Sequence, residues 1–315
     1  MDGDRVVEHV RAGGLLTAGA PVVVLLSGGR DSVCLVDVAA QVVGPARDAQ
    51  GVSALHVNYG LRDDSDEDER LCTALCARLG VPLAIERPRR PEGAGNLQAW
   101  ARDVRYAAAT RLALQRGAVV AAGHTADDQV ETILYRLASS PSRRALLGMA
   151  DRDGRLIRPL LSLTRAETTA YCEERGLAWR DDSTNAGPRY ARNRVRHGLL
   201  PALEAIHPAA AANVLRTAGL LRDEAVVLDA LVTEQLENGT ITLERLTALP
   251  PALRRLVVQR LADRAAGRLV PGAARHADKV AALRRTGTAM LDLGGGVRAV
   301  SERGVLRAEV GTNAR

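Results

Sequence analysis

The sequence predicts an α/β protein, with an open, doubly wound parallel sheet followed by a helical linker and a small α+β accessory domain. Two observations lead to this prediction. Short apolar runs at 22–26, 52–57, 81–86 and 118–122 alternate with longer stretches of helical periodicity. Such alternation is typical of βαβ units, whose strands lie parallel in one sheet. After residue 207 the pattern changes to mainly helical stretches with a few late strands.

The predicted helices of the first part are bounded by ordinary start and stop signals. They run over 6–16, from about 33 to 43, over 63–79, over 96–116 and from about 125 to 137. Gly44 and Pro45 end the second of these helices. The acidic run 63–69 suits a first helical turn because the helix dipole favours negative charge there. Asn96 is a good N-cap for the long fourth helix.

The second part of the chain is predicted to begin where His207 and Pro208 interrupt the helical pattern, which gives domains 1–207 and 208–315. The expected elements are a helix over 209–237, a strand over 241–243, helices over 246–264 and 274–285, and strands over 290–297 and 305–310. These elements predict a small α+β module.

Composition narrows the class of protein. Hydrophobic residues make up 46% of the 315 residues while aromatics make up 2% and phenylalanine is absent, so the core must be aliphatic. The net charge is +6, and nearly all of the positive charge is arginine. This favours a polyanionic partner such as RNA, with a GC-rich genome as the alternative reason for the many arginines. No apolar run is long enough to span a membrane and no signal peptide is expected, so a cytoplasmic protein is predicted.

Four cysteines are present, and they form no Cys-x-x-Cys pair. Cys72 and Cys76 are spaced as on one helix face, which is typical of two core thiols, while a metal or redox pair is the alternative.

The first strand leads into Ser27-Gly28-Gly29-Arg30-Asp31-Ser32 and then into a helix. A strand, a glycine turn and a helix start bring backbone N–H groups together and favour a bound anion. A Walker A loop is excluded because that motif requires a lysine, and the only lysine here is Lys279. The sequence therefore predicts a phosphate site of another kind, with an ordinary βα turn as the alternative.

Polar residues also follow the second and fourth strands. His56 and Asn58 end the second strand, and Gly123-His124-Thr125-Ala126-Asp127-Asp128 follows the fourth. Because parallel strands present their carboxyl ends at one edge of a sheet, we expect these groups to lie around residues 27–32, called the phosphate loop below. Asp127 and Glu131 lie one helical turn apart. The alternative is that Thr125 and Asp127 only cap the helix.

Residues 27–32 resemble the PP-loop of the ATP pyrophosphatase superfamily. Its members have a Rossmann-like fold and break ATP between the α- and β-phosphates. Six ordered motifs narrow the resemblance to the tRNA(Ile)-lysidine synthetase family. They are His56–Arg62, Asn96–Tyr106, Gly123–Thr132, Arg158–Leu161, Asp181–Asn185 and Arg192–His197. Two departures are Tyr59, where the family usually has histidine, and Ser139–Arg144, which replaces a glycine-rich loop.

The resemblance implies an enzyme that adenylates the wobble cytidine of the isoleucine tRNA with anticodon CAU and then joins free L-lysine to its C2. ATP is expected to contact Ser27, Gly28, Gly29, Arg30, Asp31, Ser32, His56 and His124. Catalytic roles are expected for Asp31, Arg105 and Arg194. Lysine is expected to bind Asp127 and Glu131, and tRNA to bind Arg192, Asn193 and Arg196. The resemblance also implies an accessory role, in holding tRNA, for the α+β module.

Asp31 is also the expected ligand of a Mg²⁺ ion, with a role in holding the loop as the alternative. Ten arginines between Arg152 and Arg196 are expected to form a basic rim for RNA or ATP phosphates, with a solvated face as the alternative. A homodimer is possible. Competing functions are a tRNA cytidine thiolase, which the absence of cysteine pairs disfavours, and a nucleotide- or RNA-binding protein without catalysis.

Overall fold

A computed structural model describes residues 2–44, 51–61, 64–91, 95–140, 142–180 and 191–311. The chain divides into two compact units, Met1–Gly219 and Leu220–Arg315. None of the described helices is both long enough and apolar enough to cross a membrane.

The first unit is built on a mostly parallel sheet. Its described strands are β1 (Val22–Leu25), β2 (Val52–Val57), β3 (Leu83–Glu86), β4 (Val119–Ala121), β5 (Arg152–Asp153) and β6 (Leu156–Ile157). They lie in the order β3-β2-β1-β4-β6-β5, and β5 pairs antiparallel with β6. Val22 of β1 pairs with Val52 on one side and with Val119 on the other. Strands β2 and β3 thus lie on one side of β1, and the chain then returns to add β4 on the other side. Ligands bind at such a switch point in the strand order.

Helices cover both faces of this sheet. They are α1 (Gly3–Ala12), α2 (Arg30–Val43), α3 (Ser65–Leu79), α4 (Leu97–Arg116), α5 (Ala126–Ser139), α6 (Arg143–Leu146), α7 (Arg165–Glu174), α8 (Ala191–Arg194) and α9 (Leu200–Ile206). Val22 and Val24 pack into a core with α1, α2, α3 and α7, whereas Val23 and Leu25 pack against α4. This alternation along β1 explains why the strand is apolar at every position.

The second unit has its own aliphatic core. α10 (Ala210–Glu234) leads into α11 (Leu243–Ala248), α12 (Pro251–Ala266) and α13 (Ala277–Ala281). The described strands β7 (Ile241–Thr242), β8 (Thr288–Gly294), β9 (Val297–Glu302) and β10 (Val305–Val310) form an antiparallel sheet in the order β7-β10-β9-β8. An α/β domain followed by a smaller α+β module confirms the predicted fold class.

Most predicted elements are present, and the differences are local. The strand at 52–57 is found with the predicted bounds, and Asn96 caps α4 through its side-chain oxygen. The short strands β5 and β6 were not predicted, and the helix expected over 274–285 ends at Ala281. One strand was expected over 290–297. The structure instead has two antiparallel strands here, β8 and β9, which form a hairpin. The division between the two compact units falls within α10, after Gly219, whereas the sequence predicted a boundary at residue 207. Ala211, Val214 and Leu215 of α10 pack in a small cluster with Val130, Leu134 and Val195.

Candidate active site

The phosphate loop between β1 and α2 is held by its own hydroxyl groups. Ser32 Oγ donates to the carbonyl of Gly29 at 2.7 Å, while the backbone N–H of Ser27 donates to Ser32 Oγ at 3.1 Å. Gly28 has φ +87°, a conformation that glycine adopts without strain. The loop therefore ends at the positive end of the helix dipole of α2, as an anion site requires.

Asp31 lies in the first turn of α2, beside the loop. Its Oδ1 accepts a hydrogen bond from Thr168 Oγ1 of α7 at 2.6 Å, and the guanidinium Nε of Arg30 lies 3.3 Å from the same oxygen. Among the described residues, Asp31 Oδ2 has no hydrogen-bond donor. The side chain is 20% exposed. Asp31 thus keeps one carboxylate oxygen for a ligand.

Gly123 brings the loop after β4 against the phosphate loop. A Cβ atom at this position would lie 2.8 Å from the backbone oxygen of Asp31 and 3.1 Å from the nitrogen of Ser32. Because these are backbone atoms, a side chain here would force the two segments apart. The glycine is required by close approach, and the loop after β4 therefore lies directly against the phosphate loop.

The end of β2 supplies His56 and Asn58, as predicted. His56 is buried, and its Nδ1 lies 2.9 Å from the carbonyl oxygen of Leu26. Because a carbonyl only accepts, Nδ1 carries the proton and Nε2 is left as an acceptor. Nε2 is buried and has no partner in the described residues. Asn58 instead donates to Asp66 and Glu69 and so ties the strand end to α3.

His124 lies among arginines. Burial is the main reason why the pKa of His124 falls to about 4, and the positive charges of Arg158, Arg105 and Arg192 lower it further. The negative charge of Asp128 acts in the opposite direction. His124 is therefore neutral at pH 7, and its buried Nδ1 has no partner in the described part of the chain.

Unpartnered polar atoms concentrate at this edge of the sheet. The described residues contain five buried side-chain polar atoms without a hydrogen-bond partner, and four of them belong to His56, Arg105, His124 and Arg158. Buried polar groups are nearly always hydrogen-bonded in native proteins. Their concentration at the carboxyl ends of the strands indicates a site that binds a polar ligand.

Arg180 anchors the loop. Its backbone N–H donates to the carbonyl of Gly28 at 3.0 Å, and its guanidinium donates to Asp64, Glu67 and Asp68 of the acidic run. From the sequence, the acidic residues were expected only to suit the first turn of a helix, and their pairing with Arg180 was not predicted. Nothing in the sequence pairs residues 64–68 with a residue more than a hundred positions away.

Asp127 and Glu131 have protein partners in this structure. Asp127 Oδ2 accepts a hydrogen bond from the backbone N–H of Arg165 at 2.7 Å and so caps α7. Glu131, with a side chain 3% exposed, accepts from Arg196 Nε at 2.5 Å and from Nη2 at 3.1 Å. Arg165 Nη1 lies 3.8 Å from Glu131 Oε1. The two predicted lysine ligands are thus close to each other but engaged with arginine residues.

The predicted tRNA contacts lie on a short helix with a local change of geometry. α8 gives way to a π-helix over Val195–Leu199, a form that is rare and often found at functional sites. Arg192 and Arg196 contact neighbouring residues of α5, since Arg192 Nη2 lies 3.4 Å from Thr132 Oγ1. Asn193 is buried, and Arg194 is exposed. The motif at 181–185 and Arg189 lie outside the described residues.

The two family departures have local structural roles. The hydroxyl of Tyr59 donates to the carbonyl of Ala101 at 2.7 Å, and its ring packs edge-on against Trp100. Burial raises the pKa of this phenol above its ordinary value. Tyr59 therefore fastens the end of β2 to α4, and Ser140 of the second departure caps the end of α5.

Comparison with known proteins agrees with this geometry. A family model described as a PP-loop domain matches residues 8–203. A tRNA(Ile)-lysidine synthase of Dehalococcoides mccartyi is 34% identical over 303 residues, which cover 88% of this chain and 63% of the relative. One of Thermobifida fusca is 38% identical over 278 residues, which cover 86% of this chain and 84% of the relative. Several further curated relatives are matched over only 51% to 63% of their length.

Among solved structures, the U34-tRNA thiolase NcsA of Methanococcus maripaludis, which carries a 4Fe–4S cluster, is similar in fold. Its TM-score is 0.57 at 19% identity, and the match covers 70% of this chain and 78% of the thiolase. This likeness supports the architecture of the sheet and its helices. The matched domain and the identity to these relatives place the chain more narrowly: it belongs to the tRNA(Ile)-lysidine synthase family of PP-loop proteins.

Proposed function

We propose that this protein is an ATP-dependent ligase that joins free L-lysine to C2 of the wobble cytidine in tRNA(Ile) with anticodon CAU. Membership of the family supports the proposal. The observation that carries it is the set of unpartnered buried atoms of His56, Arg105, His124 and Arg158 around the phosphate loop. These groups include hydrogen-bond donors and acceptors, and a nucleotide would satisfy both. The arginines would donate to its phosphate oxygens, and His56 Nε2 would accept from one of its N–H groups.

The proposed reaction has two steps. In the first, the cytidine O2 attacks the α-phosphate of ATP, the bond to the β-phosphate breaks, and pyrophosphate leaves. In the second, the ε-amine of lysine attacks C2, the C–O bond breaks, AMP leaves and the amine loses a proton. Arg105, whose Nε is buried without a partner in the described residues, is placed to stabilise charge on the α-phosphate. The loop 27–32 holds the leaving pyrophosphate, and Arg194 is the second catalytic arginine that we propose.

The residues at the loop fit a Mg²⁺ ion. In the parts of the chain that the structure describes, no three acidic, histidine or cysteine side chains lie close enough to bind a metal by themselves. Magnesium usually takes one or two carboxylates together with substrate phosphates, and Asp31 Oδ2 is the oxygen available for it. Bound there, Mg²⁺ would neutralise charge on the β- and γ-phosphates.

Lysine recognition at Asp127 and Glu131 requires an exchange of partners. Glu131 is paired with Arg196 and lies near Arg165. We propose that Arg196 moves to an RNA phosphate when tRNA binds and that an amine of lysine takes its place at Glu131. The cationic partner is then replaced by another cation, so the buried carboxylate is never left without a counter-charge.

Arg192, Asn193 and Arg196 are proposed as tRNA contacts, since arginine binds phosphate through a planar pair of N–H donors. The target cytidine lies in an anticodon loop, whose unpaired bases can be turned out and inserted into a protein site. We place the reaction in the cytoplasm, where all three substrates are found.

The test is incorporation of labelled lysine into RNA. Purified protein is incubated with ATP, Mg²⁺, labelled lysine and an unmodified tRNA(Ile) transcript with anticodon CAU. Label is expected in the transcript, and a transcript with uridine at the wobble position is the matched control. Label in both transcripts would contradict the proposed site of modification. Binding of ATP and RNA without any label would favour the non-catalytic alternative.

A further inference from the structure

Thr168 connects α7 to the phosphate loop. The residue is fully buried, and its Oγ1 lies 2.6 Å from Asp31 Oδ1, although 137 positions separate the two in sequence. The backbone carbonyl of Arg165 is a second possible acceptor, at 3.0 Å from the same hydroxyl. Which acceptor receives the single hydroxyl proton decides whether Thr168 acts on the loop.

The neighbouring threonine and the strength of the two acceptors bear on this choice. Thr169 Oγ1 donates to the carbonyl of Arg165 at 2.8 Å, so that carbonyl already has a side-chain donor. A carboxylate is also a stronger acceptor than a carbonyl, and the 2.6 Å distance is typical of an O–H donor to a charged oxygen. The proton of Thr168 therefore goes to Asp31.

The position of α7 is itself fixed from the other side of the site. Asp127, in the first turn of α5, accepts the backbone N–H of Arg165 at 2.7 Å, and the N–H of Ala126 donates to the carbonyl of Leu163 at 2.8 Å. The start of α7 is thus attached to the loop after β4. Thr168 therefore presents its hydroxyl to Asp31 from a helix whose first residues are held by the loop after β4.

Both donors to Asp31 act on the same oxygen. Thr168 and Arg30 contact Oδ1, and in the described residues Oδ2 has no donor. A carboxylate fixed through one oxygen presents the other in a defined direction, which is how outer-shell hydrogen bonds orient the ligands of a metal.

We propose that Thr168 is a positioning residue, which holds Asp31 so that Oδ2 faces the metal ion on the ATP phosphates. This inference rests on the proposed function through the role given to Asp31. Thr168 does not touch ATP in this proposal, and it acts only through the carboxylate. Its effect should therefore appear in metal-dependent binding of nucleotide and not in binding without metal.

The experiment measures binding of α,β-methylene-ATP to the full chain by calorimetry, once with Mn²⁺ and once with EDTA. The measured quantity is the ratio of the two affinities. Thr168→Val keeps the shape of the side chain and removes the donor, so we expect the ratio to fall about tenfold, at the low end of typical outer-shell effects. Affinity in EDTA should stay at the parent value. Thr168→Ser should restore the ratio.

Thr169→Val is the matched control because it removes a neighbouring hydroxyl that contacts only the backbone of α7. Its ratio should equal that of the parent protein. Thr168→Ala serves as a second donor-free variant in case the valine variant does not fold, as judged by thermal unfolding. An equal loss of affinity with and without metal would show a merely structural role and overturn the inference.

Asp31→Ala separates this inference from the proposed function. If Asp31→Ala removes the effect of Mn²⁺ while both donor-free variants of Thr168 keep the parent ratio, the positioning role is wrong and the role of Asp31 stands. If Asp31→Ala also keeps the parent ratio, the metal role of Asp31 is wrong, and the positioning role fails with it.

Discussion

The ion pair between Glu131 and Arg196 allows the proposed lysine site to be tested by a single substitution, Glu131→Gln. The Glu131 side chain is 3% exposed and accepts two hydrogen bonds from the guanidinium, at 2.5 and 3.1 Å. Removing one partner of a buried pair typically costs about 3–5 kcal/mol. Arg196 is 30% exposed and water can solvate it, so we expect the lower end, about 3 kcal/mol.

Two measurements are needed, because stability alone does not reveal lysine binding. Thermal unfolding should show a loss of about 6–12 °C for a unit of this size. Steady-state kinetics should show a KM for lysine that is about ten- to a hundredfold higher, since a charged hydrogen bond contributes about 1.5–3 kcal/mol. Glu173→Gln, at an exposed position of α7, is the control, and it should change neither quantity measurably.

Arg196→Gln distinguishes the exchange of partners from a fixed internal pair. The variant also breaks the pair and lowers stability, but it leaves Glu131 open to an amine, so the KM for lysine should not rise. A loss of stability in both variants with the KM for lysine unchanged in Glu131→Gln would refute the reasoning. Glu131 would then be only the counter-charge of Arg196, and Asp127 only the cap of α7.

Four further predictions concern the loop, the strand ends and the basic helix. Asp31→Ala should abolish lysine incorporation and leave tRNA affinity within about twofold of the parent, as measured by filter binding; a near-parental rate of incorporation would contradict the role of the loop. Arg192→Ala and Arg196→Ala should each lower the slope of log K for tRNA against log salt by roughly one, and parental slopes would mean that neither contacts phosphate. The pKa of His124 in the folded protein, about 4, lies below its ordinary value, so the unfolded chain binds a proton more readily than the folded one. The free energy of unfolding should therefore fall by up to about 3 kcal/mol as pH falls from about 6.5 towards 4. Denaturant titrations of His124→Asn should show a flatter dependence on pH. Gly123→Ala should weaken ATP binding and destabilise the protein by about 1–3 kcal/mol, because its Cβ would meet the backbone of Asp31 at 2.8 Å, whereas Gly95→Ala, with open space around its Cβ, should change neither ATP affinity nor stability.

Local pattern in the sequence was sufficient for strands β1 to β4 and helices α1 to α5 and for the edge of the sheet where the candidate site lies, but α7 and the short strands β5 and β6 were not predicted. Strand 52–57 and helix α4 carry clear local signals, an apolar run and an N-cap at Asn96, so spacing and residue type predict them well. The polar groups His56 and His124 could be assigned to one edge because parallel strands end at the same edge.

Residue type and spacing therefore indicated which strand ends carry the polar groups of the candidate site, whereas the pairing of these side chains with one another depends on the folded chain. Thr168 donates to Asp31, Arg180 is bound by the acidic run, and Arg196 is paired with Glu131, across separations of 137, more than a hundred, and 65 positions. A carboxylate and an arginine have the same local signal whether they face solvent or each other. Their partners are set by how α3, α5 and α7 pack on the sheet, and no local pattern encodes that packing.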